Sequence, residues 1–380
     1  MPRPISASIS VPALSHNLAH VASQLSTISK QGNRSVPKIW AVIKANGYGH
    51  GIYQAINGFA CADGLAMLDL DEAVRCREAG WNKPILLLEG FFEPRDLAVL
   101  ADYSLTFTLH SQEQLDILAH ARWTPPLDAW LKLNTGMNRL GFSPERFSKA
   151  YEQALKARAK GLLRTIGKMT HFARADDSIA VTQEQMRIFT ETTGALPGPV
   201  SVCNSAATLT PQHWLAVPDD VGQWVRPGIC LYGSSPFADR SADELGLLPA
   251  MTLQSQIIGV QTVQAGGGIG YGHGFVAERA MRIGVVACGY ADGYPRHAPN
   301  GTPIAVAGSR TRLLGRVSMD MLCVDLSDIP HAGVGAPVVL WGEGGPSVDE
   351  VAQAAGTIGY ELLCALAPRV PAVVSLLEPA

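Results

Sequence analysis

A lysine at the end of an apolar run is the feature of this chain that says most about its chemistry. Residues 39–43 are Ile-Trp-Ala-Val-Ile, and Lys44 follows them directly before a glycine-rich turn. A buried strand would deliver this lysine to its own C-terminal end. Burial disfavours the charged form of an amine and lowers its pKa from about 10.4 towards neutrality. A neutral amine can condense with an aldehyde, although an isolated strand-end lysine more often extends into water.

Composition bounds the kind of protein that could carry such a lysine. The chain has 380 residues, 47% hydrophobic and 17% charged, with a net charge of −3. This length favours two domains. The balanced charge gives no electrostatic surface for nucleic acid or for an anionic membrane, so we expect neither partner.

The cysteines and the chain start indicate a reducing compartment. The seven cysteines form no CxxC pair and no Cys/His cluster with zinc spacing, so we expect reduced thiols and no metal site. The first ten residues lack the apolar core of a secretory signal, and no apolar run approaches the roughly 18 residues that span a bilayer. We therefore expect a cytoplasmic protein.

Before about residue 240, apolar runs alternate with amphipathic segments. Candidate strands are 38–44, 64–68, 84–88, 104–109, 127–134, 163–171, 199–203 and 227–231, and helix-like segments include 69–79, 112–121, 144–157 and 182–193. About eight strand–helix units favour an α/β fold, a (β/α)8 barrel rather than an open doubly wound sheet. No GxGxxG follows the first strand, which also disfavours a dinucleotide-binding fold.

After about residue 241 the pattern becomes strand-like without clear helices. Glycines and prolines separate the runs 251–263, 282–288, 302–307, 321–326 and 337–341. We expect a barrel over residues 9–240 and a mainly β domain over residues 241–380, with residues 1–8 pairing with the second domain.

Residues that could take part in catalysis or ligand binding lie at the ends of the predicted barrel strands, where such barrels place their catalytic groups. They are Lys44, Lys132, His171, Asn204 with Ser205, and Gly228.

Several motifs, in this order along the chain, resemble those of the alanine racemases. They are Lys44-Ala-Asn-Gly-Tyr-Gly-His-Gly51, Lys132-Leu-Asn-Thr-Gly-Met-Asn-Arg139, His171-Phe-Ala, Cys203-Asn-Ser-Ala-Ala, Val225-Arg-Pro-Gly-Ile229, Gly270-Tyr-Gly, Gly289-Tyr-Ala-Asp-Gly, Gly315-Arg-Val-Ser-Met-Asp-Met321 and Tyr360-Glu-Leu. The resemblance implies a fold-type III pyridoxal phosphate (PLP) enzyme with a (β/α)8 barrel and a C-terminal β domain. The function that it implies is interconversion of L-alanine and D-alanine.

The resemblance also implies how the cofactor is held. Lys44 would bind its aldehyde, and its phosphate would meet backbone N–H groups and hydroxyls at loop and helix starts. The residues matching these positions are Tyr48, Asn204, Ser205, Gly228, Ile229 and Tyr360. Arg226 would face the pyridine nitrogen. Because a guanidinium can only donate, that nitrogen would stay an unprotonated acceptor, which should suppress side reactions.

Racemisation needs a base on each face of the substrate Cα. By resemblance, these are Lys44 and Tyr271, with His171 placed to tune the tyrosine. Because Lys44 lies in the barrel and Tyr271 in the β domain, the resemblance implies a homodimer in which each site combines residues of two subunits.

Substrate selection falls, by resemblance, to residues of both domains. They are Arg139, Tyr290, Ser318, Met319 and Asp320, with Arg139 and the Met319 amide binding the α-carboxylate. The lysine matching Lys132 is often carbamylated in relatives and orients the arginine matching Arg139.

Three positions depart from the family pattern. Gly47 stands where alanine is usual, a change that we expect to be sterically harmless. Asn134 replaces a common aspartate near Lys132, and Ser318 replaces a common cysteine. None of these changes removes a catalytic group.

Other functions remain open on the sequence alone. A broad-spectrum amino-acid racemase would share these motifs, but it would often carry a signal segment. A single-domain PLP-binding protein would lack the β domain and Tyr271. A D-amino-acid lyase of the same fold type would carry a His/Cys metal pair, which is not evident after Tyr360.

Overall fold

Eight parallel strands form the first part of the fold. The structure is a computed structural model that describes residues 3–123 and 125–376, so residues 1–2 and 377–380 of the predicted β domain lie outside it. The barrel strands are β2 (Lys38–Val42), β3 (Gly64–Met67), β4 (Ile85–Leu87), β5 (Thr106–Leu109), β6 (Leu127–Lys132), β7 (Leu163–Met169), β8 (Val200–Ser201) and β9 (Trp224–Val225). They pair in the order β8-β7-β6-β5-β4-β3-β2-β9. A parallel bridge between Val200 and Gln223 brings the two end strands together, so the sheet is a near-closed barrel, as predicted.

Helices surround this barrel and connect its strands. They are α1 (Val11–Gln31), α2 (Lys44–Tyr48), α3 (Ile52–Gly58), α4 (Leu70–Glu78), α5 (Asp96–Asp102), α6 (Gln112–Ala119), α7 (Pro144–Ala159), α8 (Ile179–Thr193), α9 (Ser205–Thr208) and α10 (Pro211–Leu215). Helix α1, the longest of them, was not among the predicted helices. Its start has clear signals: the Ser10 hydroxyl accepts from the Ala13 N–H at 3.1 Å, and Pro12 lies in the first turn.

Two glycines let tryptophan rings fill the barrel. A Cβ at Gly64 would lie 2.2 Å from the Trp40 ring, and one at Gly167 would lie 2.4 Å from the Trp130 ring. Trp40 also stacks on Trp224 of β9, with ring centroids 4.1 Å apart. The two Trp40 contacts join β2 to β3 and β9, and therefore fix the strand that leads to Lys44.

The rest of the described chain is mainly β, with two helices. Its strands are β10 (Met251–Val263), β11 (Gly268–Ile269), β12 (Phe275–Val276), β13 (Met281–Val286), β14 (Pro303–Val306), β15 (Ser309–Leu314), β16 (Leu322–Asp325), β17 (Pro337–Trp341) and β18 (Ala372–Ser375). Strands β10, β13, β16, β15, β14 and β17 pair in a closed ring. Strand β1 (Ser6–Ser10) adds to its outside, antiparallel to β10 and parallel to β18.

Two local predictions were wrong. The expected strand 227–231 is instead a 3-10 helix, Ile229–Tyr232, because Gly228 turns the chain out of the sheet just after β9. The region after residue 241 also contains α11 (Val348–Ala354) and α12 (Gly359–Cys364). Helix α11 begins with a capping box in which Ser347 and Glu350 satisfy each other's N–H groups, a start signal that the sequence analysis missed.

Among residues 3–123 and 125–376, no helix combines the length and apolar character needed to cross a bilayer.

Candidate active site

A cavity of about 190 Å³ opens at the C-terminal ends of the barrel strands. Tyr360, from helix α12, closes one side of it. The site residues predicted from the sequence that line this cavity are Lys44, Tyr48, Lys132, Arg139, His171, Asn204, Ser205, Arg226, Gly228, Ile229 and Tyr360. The other predicted residues, Tyr271, Tyr290, Ser318, Met319 and Asp320, lie in the β domain and do not line it.

The turn after Lys44 winds in the left-handed direction. Residues 45, 46, 47 and 48 have φ values of 54°, 53°, 63° and 49°. Left-handed backbone costs an L-residue about 1–2 kcal/mol, so such a run persists only when its surroundings hold it. Gly47 relieves part of this strain. An alanine there would place its Cβ 3.1 Å from the Cβ of Ala55, a crowding that glycine avoids.

Three polar side chains hold the left-handed turn. The Glu72 carboxylate accepts from the Asn46 N–H at 2.7 Å, and the Asn46 side chain accepts from the Ile52 N–H at 3.0 Å. Buried His50 donates through Nδ1 to the carbonyls of Gly47 and Tyr48, at 3.1 and 2.9 Å. Burial lowers the pKa of His50 to about 4, so the ring is neutral and keeps a single N–H to donate.

Lys44 has the lowered pKa that its position predicts. Burial is the main cause and the Arg139 guanidinium adds to it, while Cys364 and Glu89 act in the opposite direction. A larger fraction of the Lys44 amine is therefore neutral, and able to accept a proton, than for a lysine in water.

Lys132, at the end of β6, is a second amine with a low pKa. Burial, with the guanidinium groups of Arg226 and Arg139 nearby, lowers the pKa of Lys132 to about 8. Among the described residues that line the cavity, Glu89 is the one carboxylate against two lysines and two arginines. The cavity thus favours anionic groups.

Arg226 is buried and fixed from two sides. Its guanidinium donates to the Ser201 hydroxyl at 2.5 Å and to the Thr170 carbonyl at 2.6 Å, and one of its nitrogens lies 3.5 Å from His171 Nδ1. Burial lowers the pKa of Arg226 to about 10, which leaves it charged at neutral pH. Burial and this charge hold the pKa of His171 well below its usual range, so His171 is a neutral imidazole.

Two short helices begin beside each other in the lining of the cavity. Helix α9 begins at Ser205 and the 3-10 helix at Ile229, and first-turn N–H groups have no partner within their own helix. The Gly228 N–H donates to the Ser205 hydroxyl at 2.8 Å, which joins the two starts. The Asn204 side chain caps α9 by accepting from the Ala207 N–H at 3.1 Å.

Two tyrosines, Tyr48 and Tyr360, also line this part of the cavity. A Cβ on Gly228 would lie 2.4 Å from the Tyr48 hydroxyl, so that hydroxyl lies directly over the glycine. The Tyr48 ring stacks on Tyr232, with centroids 4.6 Å apart, and lies 6.1 Å from the Tyr360 ring. Helix starts together with hydroxyl donors suit a phosphate dianion. A buried lysine of lowered pKa and a set of donors suited to a phosphate, in one cavity, would fit PLP.

Glu89 is a lining residue that the sequence analysis missed, although its position carried a signal. It lies two residues beyond the end of β4, as Lys44 does beyond β2 and His171 beyond β7. Thr170, whose carbonyl accepts from Arg226, lies one residue beyond the end of β7. Tyr232, which stacks on Tyr48, lies one residue beyond the predicted strand 227–231, a segment that the structure shows as a 3-10 helix over Ile229–Tyr232.

The β-domain candidates form a separate, exposed group. Tyr271 is 69% exposed and Met319 is 53% exposed. The N–H groups of Tyr290 and Ala291 donate to the carbonyls of Ser318 and Met319, both at 3.0 Å, which places these two segments side by side. The Asp320 carboxylate accepts from Arg369 at 2.7 Å. Over residues 3–123 and 125–376, no group of three His, Cys, Asp or Glu side chains is arranged to hold a metal ion.

Comparison with known proteins identifies the relatives of this chain. Residues 9–236 match the family model for the alanine racemase N-terminal domain, and residues 250–374 match that for its C-terminal domain. An alanine racemase of Bordetella petrii is 62% identical over 98% of this chain and 99% of its own length, and one of Bordetella avium is 60% identical over 98% and 99%.

Solved structures of alanine racemases are also similar to this chain in fold. The biosynthetic alanine racemase of Pseudomonas aeruginosa superposes with a TM-score of 0.88 at 44% identity, over 98% of this chain and 99% of that one. The alanine racemase of Acinetobacter baumannii also gives 0.88, at 35% identity over 98% and 100%. With both family models matched in order and relatives aligned over nearly their full length, the chain belongs to the alanine racemase family, and it is a racemase.

Proposed function

We propose that this protein binds PLP in the barrel cavity and interconverts L-alanine and D-alanine by a two-base mechanism. The observation that carries the proposal is Lys44 itself, an amine of lowered pKa in a cationic cavity that also contains two helix starts and the Tyr48 side chain. The cofactor, when bound, supplies the electron-withdrawing ring that makes the substrate Cα–H acidic.

Named residues would hold the cofactor. Lys44 would take its aldehyde. Tyr48, Asn204, Ser205, Gly228, Ile229 and Tyr360 would surround its phosphate. Arg226 would donate to the ring nitrogen. Because a guanidinium offers no acceptor and stays charged, it would keep that nitrogen unprotonated and so limit reactions other than racemisation.

The chain's own groups move the proton. Lys44 Nζ, when neutral, accepts a proton on one face of the substrate and can return it there. Tyr271 of a second copy of the chain is the group for the other face. Neutral His171, fixed beside Arg226, is suited to share a hydrogen bond with that tyrosine.

The proposed site is therefore shared by two copies in a homodimer. The exposure of Tyr271 and Met319, and their absence from the cavity of their own barrel, support this arrangement. Arg139 at the cavity rim and the amide of Met319 would bind the substrate carboxylate, with Tyr290, Ser318 and Asp320 bounding the space for its side chain.

We further propose that Lys132 carries a carbamate. Its neutral amine would attack carbon dioxide, forming a C–N bond and releasing one proton to solvent. The pKa of about 8 makes part of the amine available, and Arg139 and Arg226 nearby favour the anionic product. Asn134, where relatives often have aspartate, uses its side-chain oxygen within the next turn, accepting from the N–H groups of Gly136 and Asn138. Protein exposed to ¹³C-bicarbonate should show a carbamate carbon signal that Lys132→Ala removes. A spectrum without that signal would contradict the proposal.

A broad-spectrum amino-acid racemase is the alternative, and the cavity charge argues against cationic substrates because two lysines and two arginines line it. We propose a cytoplasmic location, which is consistent with the relatives in the alanine racemase family.

One experiment tests the function. Purified protein is incubated with PLP and single L-amino acids, and the D-enantiomer is measured by chiral chromatography. We expect D-alanine to form fastest, and none to form with Lys44→Ala. Borohydride should also fix the cofactor to the peptide that contains Lys44. Faster conversion of a larger amino acid would favour the alternative, and label on another lysine would refute the role of Lys44.

A further inference from the structure

Two segments of the β domain are held together along their backbones. Besides the two hydrogen bonds from Tyr290 and Ala291, the contact depends on Gly289. A Cβ at that position would lie 2.4 Å from the carbonyl oxygens of both Ser318 and Met319. The absence of a side chain at Gly289 therefore lets the segment of Tyr290 lie directly on the segment of Met319.

The buried carboxylate of Asp292 supports the contact between the segments of Tyr290 and Met319. Its side chain is 0% exposed. It accepts from the Gly289 N–H at 2.9 Å, from Arg3 at 2.8 and 3.2 Å, and from Arg369 at 2.8 Å. A buried carboxylate with two arginine partners and a backbone donor is fully paired, so the network is rigid rather than strained.

The same two arginines also reach the other segment. Arg3 donates to the backbone carbonyl of Asp320 at 2.6 Å, and Arg369 donates to its carboxylate at 2.7 Å. Arg3 precedes strand β1, and Arg369 follows helix α12. Residues near both ends of the described chain are thus tied to Asp292 and Asp320 in one network.

We propose that Asp292, through Arg3 and Arg369, is a positioning residue that holds Tyr290 and Met319 at a fixed separation and thereby limits the size of the side chain that the substrate site accepts. This inference rests on the proposed function, in which these two residues bound the substrate of a second copy. Asp320 acts in it through Arg369. Loss of the Asp292 charge leaves both arginines held by Asp320 alone and weakens the turn at Gly289.

The test compares Asp292→Asn with Asp325→Asn. The control removes a more exposed aspartate–arginine pair of the same domain, Asp325 with Arg312 at 3.1 Å. Racemisation rates are measured with L-alanine and with L-serine, whose side chain is larger by one hydroxyl. For Asp292→Asn we expect the KM for alanine to rise and the ratio of serine to alanine turnover to rise about ten-fold, since small displacements in a site cost that much or more. Asp325→Asn should match the parent protein in both.

A second measurement does not depend on activity. Amide hydrogen exchange, followed by mass spectrometry, should become faster in the peptides that contain Tyr290 and Met319 in Asp292→Asn, and not in the control. If Asp292→Asn fails to fold, Arg369→Gln, which removes one half-exposed arm of the network, takes its place.

The outcomes separate this inference from the proposed function. Faster exchange with an unchanged serine-to-alanine ratio would overturn the role in selecting substrates, and unchanged exchange would overturn the positioning role as well. A parent protein that converts no alanine would instead refute the proposed function.

Discussion

The hydroxyl of Tyr48 lies against the backbone of Gly228, so close that a methyl group on Gly228 would lie 2.4 Å from the oxygen. The two residues come from opposite ends of the barrel sequence, one in the turn after β2 and the other after β9. Both residues belong to the proposed phosphate-binding part of the cofactor site, and their contact closes the barrel at that point.

The first prediction is that Gly228→Ala weakens cofactor binding. The added methyl must displace the Tyr48 hydroxyl, which removes one proposed phosphate donor. Losing one hydrogen bond to a charged group costs about 1.5–3 kcal/mol, or about ten-fold or more in Kd. Titration of apoprotein with PLP, followed by fluorescence, measures the change. Gly333→Ala is the control because nothing lies within 4 Å of its Cβ position. Equal Kd values for both variants would contradict the prediction.

The second prediction concerns the left-handed turn. Gly47→Ala should lower the free energy of unfolding by about 1–2 kcal/mol, because the residue keeps a positive φ and its Cβ meets Ala55. Urea unfolding of apoprotein at one protein concentration measures it. Gly356→Ala is the matched control, with a φ of +70° and no atom within 4 Å of its Cβ position. Gly356→Ala has the free-energy cost of a positive φ but no close contact of its Cβ. The difference in unfolding free energy between the two variants therefore measures the contact with Ala55. A Gly47→Ala protein as stable as the parent would show that the turn relaxes.

The third prediction assigns His50 to the same turn. His50→Leu removes the N–H that serves the carbonyls of Gly47 and Tyr48 and should raise the Kd for PLP about ten-fold. His50→Gln, which keeps an N–H donor, should recover part of the affinity. If the glutamine and leucine variants bind equally poorly, the ring packing against Tyr232 matters and the hydrogen bond does not.

The pKa of His50 gives this prediction a pH dependence. The folded value of about 4 lies below the model value of 6.5, so the unfolded chain binds the proton first as the pH falls. The stability that neutral His50 contributes is complete above about pH 6.5 and is lost as the pH falls towards 4. Acid unfolding of His50→Gln should therefore show a smaller decline over that window than the parent protein.

The fourth prediction uses the pKa of Lys132. Its folded value of about 8 lies below the model value of 10.5, so between these values the unfolded chain binds more protons than the folded one. The free energy of unfolding should rise with pH across this window, by a few kcal/mol at most from this group. Lys132→Met should flatten the rise in buffer free of carbon dioxide. Lys156→Met, which removes an exposed lysine, controls for the loss of one charge. An unchanged slope in Lys132→Met would place the rise in another group, with Lys44 the next candidate.

The barrel and the barrel part of the site were predictable from the sequence because both follow from local patterns. Strand β2 ends at Val42, and the reactive group follows two residues later, as it does at His171. The same rule applied to β4 would have found Glu89. The left-handed turn was not predictable, because three of its four residues are not glycine and only the tertiary contacts of Glu72 and His50 make that backbone acceptable.

The β-domain part of the site could not be predicted from local sequence patterns. Nothing local distinguishes Tyr290 or Met319 from other residues near glycines, and the Asp292 network depends on arginines at positions 3 and 369, which meet only in the folded chain. These residues could be named from resemblance, whereas their mutual packing required the structure.

The last prediction is that each active site combines Lys44 of one subunit with Tyr271 of another. Lys44 lines the barrel cavity, whereas Tyr271 is 69% exposed in the β domain and does not line it. Lys44→Ala and Tyr271→Phe should each be nearly inactive, because neither can serve both faces of the substrate. In a mixed dimer of the two variants, one site loses both groups and the other regains both. Random mixing in equal amounts makes half of the dimers mixed, each with one complete site, so activity should recover to about a quarter of the parent value.

A matched control excludes recovery by stabilisation alone. Lys44→Ala mixed with the double variant Lys44→Ala, Tyr271→Phe forms equally mixed dimers in which every site lacks the lysine, so it should remain inactive. Two different affinity tags and native mass spectrometry verify that mixed dimers are present. If those dimers form and the complementing pair still shows no activity, Tyr271 serves the site of its own chain or none.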